Sequence, residues 1–170
     1  QQHEYSSVVT RYQQKRALCH SFATEALGIP GLELRPIFYR DAVRGDSWRQ
    51  QWSDAAKRPT WQWTELFTRY NSKQGVKRFE VAVWLSGVLC ALSYGVPTKN
   101  KLILRINALG RAPRDNPLAG KTLGIILACA DAYARLLGST EIWICEPMNQ
   151  DLVAIYAKHD FSQFQQMVVT

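Results

Sequence analysis

Long hydrophobic runs are absent from this sequence. None of its apolar segments approaches the roughly 20 residues that a helix needs to cross a bilayer. No secretory signal is visible after Gln1, although a leader removed from a longer precursor stays an open alternative. Low-complexity segments, internal repeats and interdomain linkers are also missing. We therefore expect a cytoplasmic, globular protein that does not enter a membrane, with residues 1–170 forming a single domain.

Cysteine is scarce, and its pattern suggests no pairing. The sequence contains neither a CxxC pair nor the spacing of a metal site. Each cysteine lies in an apolar segment: Cys19, Cys90, Cys129 and Cys145. Free cysteine in such a setting behaves as a small hydrophobic residue. The pattern predicts reduced thiols in the core of a cytosolic protein and no metal ion.

Acidic residues are outnumbered by basic ones. The chain has 21 Lys and Arg against 14 Asp and Glu, which gives a net charge of +7. An excess of positive charge favours an anionic partner such as a nucleotide cofactor, a nucleic acid or an acidic protein face. A solvated basic surface that aids solubility is the other interpretation, and charge alone does not separate the two.

The first part of the chain is predicted to be mainly helical. Segment 6–27 predicts one helix, whose apolar face comprises Val8, Val9, Tyr12, Leu18, Cys19, Phe22 and Leu27. Residues 32–39 alternate as an edge strand would. Ser47 and Thr60 are candidate N-caps of two short helices that follow.

The rest of the chain alternates between strand and helix patterns. A hairpin turn at Ser86-Gly87 joins two strand patterns. A loop after the third strand leads into a strongly amphipathic helix that Gly138 ends. The predicted elements are strands 78–85, 88–94 and 102–109, helix 121–137, strand 141–145, a helix opening at Asn149, and strand 163–169.

The most informative segment is residues 149–161, which follows the apolar strand pattern at 142–145. It places an amide, Asn149, and a phenol, Tyr156, seven residues apart, so both return to nearly the same face of a helix. The segment resembles the last conserved segment of the GNAT superfamily, the acyl-CoA-dependent N-acetyltransferases. The spacings from Asn149 to Tyr156 and from Tyr156 to Phe161 both fit the family pattern.

Two positions depart from that pattern. Leu152 stands where the family usually has Ala, and Asp160 stands where it usually has Gly. Asp tolerates the positive φ that such a Gly adopts better than most residues do. The order of elements over residues 76–165 is nevertheless similar to that of the family.

The resemblance implies an α/β (α+β) fold. Its central sheet is expected to be mixed, largely antiparallel and flanked by helices. The strands near 102–109 and 141–145 are expected to splay apart. Residues 76–170 would form the GNAT-like core, and residues 1–75 a variable, helical N-terminal part with an edge strand.

The resemblance also implies acetyl-CoA as the acyl donor. In the place of the family's pyrophosphate loop, the chain keeps the last Gly, Gly124, but has Ala119 and Thr122 at the other key positions. A helix N-terminus still offers unpaired N–H groups to a phosphate, and the Thr122 hydroxyl is expected to cap this helix or to bind a phosphate. A plain helix cap preceded by a basic loop is the alternative. The implied cofactor-binding residues are Ile106, Asn107, Ala108, Leu109, Ala119, Gly120, Lys121, Thr122, Leu123, Gly124 and Asn149.

Two side chains are implied as catalytic. The Tyr156 phenol would protonate the CoA sulfur as it leaves, and a half-buried packing Tyr is the alternative. Glu146 is the first candidate for the general base, because the third strand carries no acid. Glu80 and His159 are weaker candidates, and water could take the proton instead.

The acceptor is expected to bind beside residues 40–75. Trp48, Trp52, Trp61 and Trp63 would form either an aromatic wall or ordinary packing of two short helices. The neighbouring basic residues would hold an anionic macromolecule: Arg40, Arg44, Arg49, Lys57 and Arg58. The acceptor class stays open between a protein amine, a small amine and an aminoacyl group on RNA, and a homodimer is also open.

Two other functions compete with acetyl transfer. The missing loop glycine and the absent strand acid are compatible with a GNAT-like binding module that retains CoA weakly or not at all. The basic, Trp-bearing segment and helix 6–27 are compatible with a nucleic-acid-binding protein. Acetylation of an amine linked to a nucleic acid would unite the first and last ideas.

Overall fold

The computed structural model describes residues 2–55 and 58–145, and the backbone of residues 166–168. The described residues form four α-helices, six strands and one 3-10 turn at Lys73–Gly75. In chain order they are α1 (Gln2–Leu27), β1 (Leu32–Arg35), α2 (Tyr39–Gln51), α3 (Trp63–Tyr70), β2 (Phe79–Leu85), β3 (Val88–Pro97), β4 (Ile103–Arg111), α4 (Thr122–Leu137), β5 (Glu141–Ile144) and β6 (Gln166–Val168).

The strands form one sheet in the order β1-β2-β3-β4-β5-β6. Every neighbouring pair is antiparallel except β4 and β5, which are parallel. Parallel neighbours require a crossover connection, and α4 supplies it. The predicted α/β fold with a mixed, largely antiparallel sheet is therefore confirmed, as is the edge position of β1.

Helices cover both faces of the sheet. Cys19 and Ala23 of α1 and the apolar stripe of α4 pack on the face that carries Val81 and Val83. Helices α2 and α3 pack on the opposite face, which carries Ala82. The alternation along β2 follows from the two-residue period of a strand. Within the described residues, no helix has both the length and the apolar character that a membrane span requires.

Helix α1 buries only part of the predicted apolar face, which includes the buried Tyr12 and Cys19. Leu18 and Phe22, which the apolar pattern assigned to the inner face, are 45% and 50% exposed. Arg16 and His20 are buried instead. Arg16 lies 3.9 Å from the carboxylate of Glu80, and His20 Nε2 hydrogen-bonds to the Glu80 carbonyl at 2.7 Å. Satisfied polar contacts thus override the apolar pattern of this helix.

The predicted N-caps of the two short helices are wrong. Ser47 lies inside α2, and Thr60 precedes α3 without capping it. The Asp41 carboxylate accepts the Phe38 N–H at 2.9 Å at the start of α2. The Asp46 carboxylate accepts the N–H of Trp63 at the start of α3. A carboxylate suits the positive end of a helix better than a hydroxyl does, and Asp46 reaches α3 only because the two helices pack together.

Candidate functional site

The ladder between β4 and β5 ends halfway along β4. Residues from Ile103 to Ile106 pair with residues from Glu141 to Ile144. The Cys145 N–H donates to the Ile106 carbonyl at 2.9 Å, and β4 then continues to Arg111. Among the described residues, nothing pairs with this edge of β4 beyond Ile106. We refer to residues 107–111 of β4 as the open edge.

A β-bulge lies at the start of the open edge. Gly95 of β3 is opposite Ile106, whereas Tyr94 is opposite Ala108, so Asn107 is the extra residue. Ile106 packs with the core beneath α1 and α4, but Ala108 packs with the core beneath α2 and α3. The bulge therefore changes which side chains of β4 face each core, and such a bulge bends the strand locally.

The peptide groups of the open edge point in alternating directions. The Ala112 N–H donates to the Cys90 carbonyl of β3 at 2.9 Å. Because antiparallel pairs alternate between bonded and non-bonded residues, Ala108 and Gly110 also point towards β3. The Leu109 N–H then points away from β3, to the side that β5 has left. This arrangement offers a backbone donor to an oxygen bound there.

The N-terminus of α4 lies at the same end of the sheet. Helix α4 runs back from the carboxyl end of β4 to the start of its parallel neighbour β5, so it must begin where β4 ends. No side chain caps this helix, and its first internal bond is from the Ile125 N–H to the Lys121 carbonyl at 3.2 Å. The N–H groups of Thr122, Leu123 and Gly124 precede that bond and fit a phosphate anion.

The loop before α4 makes a tight turn around Gly120. Gly120 has φ +81°, a region that favours glycine, and a Cβ there would meet no described atom within 4 Å. Thr122 is buried in the first helical turn and does not cap the helix, because the N-cap position belongs to Lys121. The capping role expected of the Thr122 hydroxyl is therefore wrong, and its contact with a phosphate stays a prediction.

A polar pair lies at the bulge. The Asn107 side-chain N–H donates to the Tyr70 hydroxyl at 3.1 Å. The Tyr70 ring stacks on Tyr94, with centroids 4.6 Å apart. Burial, together with the Glu80 charge, raises the pKa of Tyr94, so this hydroxyl stays neutral. Sequence reasoning missed Tyr70, because its place in the apolar pattern of α3 gives no sign that its hydroxyl reaches β4.

Glu80 is placed in a buried ionic network. Its side chain is 1% exposed and pairs with Arg78 as well as Arg16. The carboxylate also accepts the Ile37 N–H at 2.7 Å. These three partners occupy the carboxylate and fix it inside the protein. Glu80 is better explained as a structural residue than as a general base.

Three potential metal ligands come together in the core, although their spacing in sequence gives no sign of it. The ligand atoms of Cys19, His20 and Cys129 lie within 4.8 Å of one another. Each side chain already has a protein contact: Cys19 Sγ donates to the Arg16 carbonyl at 3.1 Å and lies 3.9 Å from Cys129 Sγ. Burial raises the pKa of Cys129, which favours the thiol over the metal-binding thiolate.

All four cysteines are free, as predicted.

The four clustered tryptophans divide into two pairs. Trp48 and Trp63 are 5% and 1% exposed and belong to the core, so packing explains them. Trp52 and Trp61 are half-buried. Arg111, the last residue of the open edge, lies with its guanidinium 4.9 Å from the centre of the Trp52 ring. Only the second pair is available as an aromatic wall.

Several predicted site residues lie outside the described residues. They are Lys57, Glu146, Asn149, Tyr156, His159 and the helix that opens at Asn149. The topology places two other predicted groups, the backbone of 106–109 and the loop of 119–124, at the same end of the sheet, and their role in binding a cofactor stays a prediction.

Comparison with known proteins finds similarity in structure only. No family model and no curated protein matches the chain. Ard1 from Thermoplasma volcanium matches with a TM-score of 0.59 at 11% identity, over 82% of this chain and 99% of that one. The ribosomal-protein-S18-alanine N-acetyltransferase from Escherichia coli matches with a TM-score of 0.56 at 12% identity, over 77% of each chain. Spermidine N-acetyltransferase from Vibrio cholerae, solved with CoA and spermine, matches with a TM-score of 0.56 at 16% identity, over 83% of this chain and 97% of that one.

Proposed function

We propose, from its GNAT N-acetyltransferase fold, that this chain transfers an acetyl group from acetyl-CoA to a primary amine. The observation that carries the proposal is the open edge of β4 at the same end of the sheet as the uncapped N-terminus of α4. The open edge supplies a backbone donor for a carbonyl oxygen, and the N-terminus of α4 supplies unpaired N–H groups for a pyrophosphate. Acetyl-CoA has both a thioester carbonyl and a pyrophosphate, so a site that binds it needs both kinds of donor.

The described residues fit two parts of acetyl-CoA, the pyrophosphate and the thioester. Gly120 lets the backbone approach the pyrophosphate, and Lys121 adds a positive charge beside the first turn of α4. At the other end, the Leu109 N–H would stabilise negative charge on the thioester oxygen as the amine attacks. Donors fixed by the sheet need no rearrangement during the reaction, which is why such a site lowers the barrier.

The reaction is a direct transfer. The amine lone pair forms a C–N bond with the acetyl carbon, and the C–S bond breaks. The sulfur takes a proton, which we assign to the Tyr156 phenol, and the amine gives up a proton to Glu146 or to water. Asn107 is suited to orient the amine, because its side-chain N–H donates to Tyr70 and its side-chain oxygen, which has no hydrogen-bond partner among the described residues, can accept an N–H.

Acetyl-CoA binding and turnover test the proposal directly. We expect one acetyl-CoA to bind per chain in isothermal titration calorimetry, with affinity in the micromolar range. We then expect release of free thiol when amines are added, measured across polyamines, peptide N-termini and aminoacyl nucleotides, with an amine-free reaction as the background. An absence of binding at high micromolar acetyl-CoA would contradict the proposal, and binding without transfer to any amine would favour the binding module.

The Tyr156→Phe substitution tests the proton donor. Because the phenol acts only when the C–S bond breaks, we expect kcat to fall by about 100-fold or more while the Kd of acetyl-CoA stays the same. Steady-state thiol release and calorimetry separate the two quantities. An unchanged kcat would show that another group, or water, protonates the sulfur.

A further inference from the structure

A cleft lies between the end of α2 and the start of α3. It has a volume of about 490 Å³, and its lining includes Arg49, Gln50, Arg58, Trp61 and Gln62 together with Asp46 and Trp63. A volume of this size accommodates a ligand as large as a nucleotide. Of the residues assigned to the acetyl-CoA site, none of those that the structure describes lines it.

The cleft is cationic. Its one carboxylate, Asp46, is engaged in capping α3, where it also accepts the Thr64 hydroxyl at 2.7 Å. Among the residues with described positions, Arg58 donates only to a neutral group, the Trp52 carbonyl, at 3.2 and 3.3 Å. Within the part of the chain that the structure describes, neither Arg49 nor Arg58 forms a salt bridge. Two arginines without an acidic partner favour an anion, and their planar groups match a phosphate.

Aromatic surface accompanies the positive charge. The half-buried Trp61 lines the cleft, and its ring meets Trp63 edge-on with centroids 6.1 Å apart. Trp52, whose carbonyl holds Arg58, stacks beneath Arg111 at the end of the open edge. Indole rings interleaved with arginines are the combination that binds a planar base and its phosphate.

The Trp63 ring lies between the cleft and the open edge of β4. Trp63 forms part of the cleft and lies so close to β4 that a Cβ on Gly110 would be 2.8 Å from its Cζ2 atom. Gly110 directly follows Leu109, whose N–H we assign to the acetyl group. The cleft therefore borders the strand that carries the open edge, on the α2 and α3 side of the sheet.

We propose that this cleft binds the acceptor and that the acceptor amine is carried by a nucleotide. Arg49 and Arg58 hold a phosphate, and Trp61 packs against the base. This inference rests on the proposed acetyl transfer for the role of the ligand, but the binding site itself does not. A free nucleotide derivative and the end of a single-stranded RNA share this chemistry, and the test separates the two sources.

Binding of AMP is the first test. Because the adenosine part of CoA resembles AMP, we titrate AMP into protein with and without saturating CoA and follow tryptophan fluorescence. We expect AMP to bind in both cases, adenosine and inorganic phosphate to bind more weakly, and a short single-stranded RNA to compete with AMP only if RNA is the source. Displacement of AMP by CoA, or no AMP binding at all, would overturn the proposal.

Charge-neutralising variants locate the site. We expect Arg49→Gln to weaken AMP binding by about tenfold, since it removes one charge-assisted contact, and to leave acetyl-CoA binding unchanged. Arg69→Gln is the matched control, because Arg69 is an exposed arginine of the neighbouring helix α3 that does not line the cleft. Equal effects of the two variants would show nonspecific attraction and contradict the proposal. Failure of acetyl-CoA to bind would contradict only the proposed transfer, because the AMP titrations do not need it.

Discussion

Replacing Leu109 with proline is expected to lower kcat for acetyl transfer by about 100- to 1000-fold while the protein stays folded. Proline deletes the backbone N–H that we assign to the thioester oxygen. Because that N–H points away from β3, the substitution removes no bond of the described ladder. Proline is tolerated in a strand where its N–H side is unpaired. Thiol release measures kcat, and circular dichroism with a thermal melt measures folding.

Two neighbouring substitutions serve as controls for Leu109→Pro. Leu109→Ala keeps the N–H and removes only side-chain packing, so we expect kcat to stay within a few-fold of the original. Ala108→Pro deletes an N–H that points into the ladder with β3, so we expect it to destabilise the sheet. If Leu109→Pro folds and retains full kcat, the amide has no catalytic role.

The Glu80→Ala substitution is expected to lower the free energy of unfolding by about 3–5 kcal/mol. It leaves two arginine side chains, Arg16 and Arg78, which are 6% and 14% exposed, without their shared carboxylate. It also leaves the Ile37 N–H without its acceptor. Chemical denaturation followed by fluorescence measures this change in the free energy of unfolding. We expect it to be larger than the change caused by removing a surface charge.

An exposed ion pair supplies the comparison for Glu80→Ala. Glu33 pairs with Arg35 on β1, and their side chains are 53% and 36% exposed. We expect Glu33→Ala to change the free energy of unfolding by about 0–1 kcal/mol. Similar values for the two variants would show that the network around Glu80 contributes little. Loss of kcat in a Glu80→Gln variant that remains folded would instead reopen its role as a base.

The strands could be predicted from sequence where a local pattern decides the structure. Phe79, Val81 and Val83 alternate over a buried face, and Ser86-Gly87 adopts the positive φ values that its hairpin needs. The burial of Arg16 and His20 on α1 could not be predicted, because the partners of both side chains come from β2, far along the chain. Local pattern carries no information on such contacts.

The candidate site could be predicted only in part. Resemblance to the GNAT family pointed to the open edge and the loop before α4, and the fold is similar to that of solved N-acetyltransferases. The bulge at Asn107 gives no sequence signal, because Asn is compatible with an ordinary exposed strand position. The cleft could not be foreseen either, since Arg49 and Trp61 belong to different helical segments whose packing brings them together.

Trp63 makes α2 and β4 interdependent. Its indole occupies space that glycine leaves on both sides, since a Cβ on Gly45 or on Gly110 would lie 2.7 or 2.8 Å from the ring. A larger residue at either glycine therefore demands a smaller one at position 63, and the three positions must be exchanged together. Anyone who grafts the helical segment of this chain onto another scaffold must transplant the glycine of the strand with it.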